Sequence, residues 1–267
     1  MDTVFPPPVA TTFEVFAAIV SAALYLIVGL AALVHAPRDI RTRLFFATAL
    51  ASAAPYSFTV LLWARGSDAV FTVPVMAVVA LSLMMGSLAL FHFTQVLPWR
   101  RPWIRAHGRW LFAGYVTVPI TVAGASWLFR GLDVSGAGGL GAVSAGVAEG
   151  LALVLLLVVI PVVFVLGLVV PFAALLSLYK TWLTAKAAGV EAARVTAFWI
   201  LISQMGGGVL TILIIPLLHL VAPTGPWVTI AAVLLFAFGL LMPLAFAAGV
   251  WKYRVLDLDV HQPPPRL

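Results

Sequence analysis

Long apolar runs alternate with short charged breaks along the whole chain. The run at residues 70–97 holds no charged residue. At about 1.5 Å per residue it is long enough to cross a hydrocarbon core of about 30 Å. Six more runs share this character, at residues 13–34, 44–63, 110–129, 151–178, 195–220 and 227–250, with Glu14 at the outer edge of the first. A closed barrel would need alternating segments of roughly ten residues, which are absent. The pattern predicts an all-α integral membrane protein, a bundle of seven transmembrane helices. It divides the chain into an outer N-terminal segment (1–12), a transmembrane domain (13–251) and a cytoplasmic tail (252–267).

The charged breaks set the orientation. Thirteen of the fifteen basic residues follow the first, third, fifth and seventh runs, leaving only Arg65 and Arg130 on the other side. Basic loops stay in the cytoplasm, so the N-terminus is expected outside and the C-terminus cytoplasmic. Arg100, Arg101, Arg105 and Arg109 alternate with Trp99, Trp103 and Trp110, a pattern that suits the headgroup layer. The outer loop 131–150 has seven glycines and reads as weakly structured. The inner loop 179–194 is rich in alanine and reads as a helical extension of the fifth run. The Pro/Gly turn at 221–226 makes the last two runs antiparallel neighbours.

Composition agrees with this picture. The chain is 63% hydrophobic and 9% charged, where a soluble domain carries about 25% charged residues. The net charge of +6 sits in breaks between apolar runs, so it marks membrane topology and not a nucleic-acid partner. Cysteine is absent, which removes disulfides and thiolate metal sites. The N-terminus lacks the basic stretch of a cleaved signal peptide.

Few residues can carry chemistry inside such a chain. His92 and Gln95 lie three apart near the inner end of the third run. A buried imidazole and amide need partners in hydrocarbon. They are candidates for a ligand site, or else they bond a neighbouring helix. His35 ends the first run on the same side and could join His92 as a haem ligand pair; no other cofactor is expected. His219 and Trp227 lie at the outer ends of the last two runs and could wall an outer pocket. Ser203 and Gln204 precede Gly206, Gly207 and Gly208, a stretch suited to close helix contact or to a soft point beside a cavity. Ser82 and Gly86 form a second small-residue pair. Pro55, Pro74, Pro119, Pro161, Pro171, Pro216 and Pro243 interrupt every run but the first, and proline is tolerated in membrane helices. Pro216 and Pro243 make the last two runs the candidate moving element.

No acidic or basic residue occupies the middle of a run, which argues against ion-coupled transport. Lys252 lies past the last run, too late for a retinal Schiff base. Phosphate-loop, HExxH and Gly-x-Ser-x-Gly motifs are also absent, and no enzyme is expected.

The exit of the last run reads KYRVLDL, from Lys252 to Leu258. It resembles the exit of the N-terminal seven-helix sensor region of bacterial histidine kinases. LALFHFTQVLPWRRPW, from Leu88 to Trp103, is similar to that family's third helix. The resemblance implies a receptor-like sensor in the bacterial cytoplasmic membrane, with Lys252, Tyr253, Arg254 and Asp257 at its output junction. No kinase, cyclase or DNA-binding sequence follows, so a separate cytoplasmic or membrane partner is expected to take the signal. A second copy of the chain is a further candidate partner. The rival reading is a non-catalytic subunit of a larger membrane assembly.

Overall fold

The computed structural model describes residues 12–65, 69–136, 165–209 and 226–258, with residues 157, 161, 162 and 217 between them. Seven long helices appear among the described residues. They are α1 (Thr12–His35), α2 (Ile40–Arg65), α3 (Ala69–Val96), α4 (Pro102–Gly136), α5 (Val170–Ala187), α6 (Glu191–Val209) and α7 (Pro226–Ala247). A π turn, Val165–Val169, leads into α5, where Pro171 has no N–H to donate to an earlier turn. A second π turn, Ala248–Lys252, prolongs α7 and is followed by a 3-10 turn, Val255–Asp257.

The helices form a closed ring in the order α1, α2, α3, α5, α6, α7, with α7 returning to α1; α4 packs outside it on α3. The outer surface is apolar, unlike that of a water-soluble bundle, and a few small hydroxyl side chains sit within a mainly apolar interior. Ser21, Thr42, Thr48, Thr94, Thr196 and Ser203 are buried, whereas Phe16, Ile27, Trp110, Phe112 and Phe172 are each more than half exposed. Stretches Val15–His35, Ala77–Val96 and Val165–Ala187 are long and apolar enough to cross a membrane. Such a surface is stable against lipid and not against water.

At the core, the rings of Phe45 and Phe246 stack with centroids 3.6 Å apart, and Phe93 meets Phe246 edge-on at 5.5 Å. This joins α2, α3 and α7 at the end of the ring where the basic residues lie, called here the basic end.

Three expectations about boundaries are corrected. The fourth run begins at Pro102, not Trp110, so Arg105 and Arg109 are helical. Proline suits a first helical position, and that signal outweighs the charge around it. The glycine-rich loop starts late, because 131–136 complete α4; its remainder lies outside the described residues. The extension of the fifth run is helical only to Ala187. There Gly189, at φ +69°, stops it: its N–H bonds Lys186 O and the Val190 N–H bonds Ala185 O. That pair of bonds is a Schellman closure, which needs a left-handed residue. The turn at 221–225 lies outside the described residues.

Candidate functional site

The α1–α2 corner is organised by Asp39. It stands immediately before α2, and its Oδ1 accepts the Arg41 N–H at 2.8 Å, an N-cap. The same carboxylate holds the Arg41 side chain, with Nη2 to Oδ2 at 2.7 Å and Nε to both oxygens at 3.1 Å. Arg41 is 2% exposed. A guanidinium so buried requires acceptors on all sides. Backbone carbonyls from distant chain supply them. Nη1 donates to Val255 O at 2.9 Å, Leu258 O at 3.1 Å and Pro98 O at 3.4 Å; Nη2 donates to Leu256 O at 2.7 Å.

One side chain thus fastens the α1–α2 corner to the α3–α4 connection and to the KYRVLDL exit. Only the planar fork of arginine reaches so many acceptors at once. The exit is shaped to meet it. Arg254 adopts φ +52°, a left-handed conformation that costs roughly 1–2 kcal/mol in a residue with a Cβ. This reversal aims the carbonyls of the following 3-10 turn at Arg41. Val255 is fully buried, while Lys252 lies over the Tyr253 ring at 5.2 Å and stays exposed with Arg254. Of the expected output residues, Asp257 alone borders a cavity beside this latch.

That cavity has a volume of about 650 Å³. His92, Arg38 and Arg100 line it together with Arg41, Asp39 and Asp257. His92 Nδ1 is buried and has no hydrogen-bond partner among the described residues. Tyr115, with its ring 6.2 Å from that of His92, has a buried hydroxyl in the same condition. Gln95 parts from His92: it lines a second cavity of about 430 Å³ with Trp99, Trp103, Arg101, Lys180 and Thr181. Here Arg101 Nη2 donates to Ser177 O and Thr181 Oγ1, both at 2.8 Å, tying the α3–α4 connection to α5. Desolvation lowers the Arg101 pKa from its ordinary value. His35 is exposed at the end of α1 and is not among the residues lining the His92 cavity.

No family model, curated protein or solved structure matches the chain.

The remaining expected site residues sort by helix contact. Ser203 Oγ donates to Phe238 O at 2.6 Å, and Gln204 Nε2 lies 3.0 Å from Met242 Sδ, so both are engaged by α7. Gly206 allows the Phe238 ring to sit where a Cβ would be, about 2.4 Å away. At Gly207 a Cβ would meet nothing within 4 Å, so the close contact belongs to Gly206. Gly86 faces Ala51, 3.1 Å from an ideal Cβ, and Ser82 is half-buried one turn earlier. Pro243 is buried in α7. The surroundings of Gly208, the side chain of Trp227, and all of Pro216 and His219 lie outside the described residues.

Sequence reasoning counted Arg41 only as a loop charge and passed over Asp39. The aspartate directly before an apolar run was a readable cap signal. The carbonyls that Arg41 binds have no side-chain signature.

Proposed function

We propose that the chain is a receptor-like sensor module of the bacterial cytoplasmic membrane. All seven helices cross the bilayer, with the N-terminus outside and the basic end cytoplasmic. The module binds a small or lipidic ligand and passes its state to a separate partner through residues 252–258. One observation carries the reading: Arg41 fastens the exit segment to two different helix connections of the bundle. A change in how the helices pack therefore alters the carbonyl set offered to Arg41, and with it the position of Tyr253 and Arg254. An output needs such a bistable element, linked to both sites.

The test is a distance measurement between spin labels at Arg109 and Lys252, both exposed. A receptor gives more than one distance population, shifted by ligand or by lipid composition. A single distance, unchanged in every lipid and in the native assembly, overturns the reading and favours a structural subunit.

A further inference from the structure

We propose that the cavity beside the Arg41 latch is a binding site for a phosphate group, carried by a lipid headgroup or by a soluble phosphorylated solute. Three observations converge. Arg38 and Arg100 both line the cavity, and neither has a hydrogen-bond or ion-pair partner among the described residues. Arg41 and Asp39 neutralise each other, which leaves Asp257 as the one other carboxylate lining the cavity among the described residues. His92 lines the same space, and an imidazole N–H can donate to an acceptor oxygen. Two guanidiniums and an imidazole around one space suit a tetrahedral oxyanion, since guanidinium forks pair well with phosphate oxygens.

The rest of the lining gives the ligand its second property. Ile40, Val96, Ile104 and Leu256 form an apolar wall next to the charged one. A phosphoester with an apolar portion meets both. Leu256 and Leu258 also belong to the segment held by Arg41, so an occupied site touches the latch directly. The inference thus deepens the receptor reading by naming its ligand class, although binding itself does not depend on that reading.

The experiment uses the full chain, purified and placed in nanodiscs of phosphatidylcholine. One arm adds phosphatidylglycerol to the disc; the other adds inorganic phosphate to the buffer. Occupancy is read from the ring nitrogen signals of His92, and lipid retention from native mass spectrometry. A shift of the His92 signals with phosphatidylglycerol assigns a lipid source, and a shift with phosphate alone assigns a soluble one. Arg100→Gln and Arg38→Gln should each weaken the response about tenfold, the loss of one charge-assisted bond. Arg109→Gln, on an exposed face of α4 outside the cavity, should leave it unchanged. The proposal is overturned by unmoved His92 signals in both arms, or by an equal loss with Arg109→Gln, which marks general attraction to a charged surface. Binding without any change in the distance between labels at Arg109 and Lys252 would keep the site and sink the receptor reading. A lipid-dependent distance without binding would do the reverse.

Discussion

The Tyr25 hydroxyl donates to the Gly239 carbonyl at 2.9 Å, and that carbonyl is the acceptor that Pro243 leaves vacant. Proline has no N–H, so the carbonyl four residues before it loses its helical partner. In hydrocarbon an open carbonyl is costly, and no water is at hand to fill it. Here α1 fills the gap in α7. The absence of a Cβ on Gly239 lets the Tyr56 hydroxyl come within 2.8 Å of where one would stand. The proline is thus a point of attachment between the first and last helices.

A double-mutant cycle tests this pairing. Tyr25→Phe alone should destabilise by about 1 kcal/mol, the usual scale of such a bond. Pro243→Ala restores an N–H to Gly239, so Tyr25→Phe should cost much less in that background. Unfolding in mixed detergent micelles measures both, and additive losses would show that the hydroxyl and the proline are unrelated.

Arg41 is the position of greatest sensitivity. Arg41→Gln leaves Asp39 without its cation and three exit carbonyls without a donor, and should cost about 3–5 kcal/mol. Arg41→Lys keeps the charge but cannot fork, so it should hold Asp39 and release the exit. A cysteine replacing Leu258 should then react faster with a thiol reagent. An unchanged rate would mean that the guanidinium fork does not hold the exit.

The left-handed Arg254 makes a prediction of opposite sign. Arg254→Gly should stabilise the exit by up to about 1 kcal/mol, because glycine occupies that region without strain. Arg254→Val should destabilise it, since a β-branched side chain tolerates positive φ worst. Equal melting of both variants would contradict the backbone assignment.

Gly206 and Gly207 should behave differently despite being neighbours. Gly206→Leu collides with Phe238 and should cost about 1–3 kcal/mol. Gly207→Ala meets open space and should be neutral or mildly stabilising, as alanine favours helix. Retained helix content in both would show that packing alone separates them.

The seven apolar runs make the helical architecture legible in the sequence, because lipid-facing helices need length and apolarity more than any special residue. The rotation of each helix was harder to read. Gly206 and Gly207 differ by about 100° around the axis, and a helix apolar on every side gives no phase from which to choose. His92 and Gln95, three residues apart, were read together as candidates for a ligand site, yet they open onto separate cavities. Asp39 and Arg41 escaped notice because basic residues at a helix end already have a sufficient explanation in topology. The exit partners of Arg41 are main-chain atoms 214 to 217 residues away, and any sequence could supply them.

A cysteine at Ala188 provides the check on orientation. It lies at the end of α5, on the same side as the latch if the basic end is cytoplasmic, and is exposed. An impermeant thiol reagent should fail to label it in intact cells and label it in inverted vesicles. Labelling from outside would reverse the assignment of every helix.

The Arg41 latch also sets an order on biosynthesis. Chains enter the bilayer from the N-terminus as they are made. The α1–α2 corner is complete long before its acceptors at Val255, Leu256 and Leu258 leave the ribosome. Until then the guanidinium has Asp39 and must draw its other partners from water at the membrane surface. The ring of helices therefore closes head to tail, and dehydration of Arg41 belongs to the last stage of assembly.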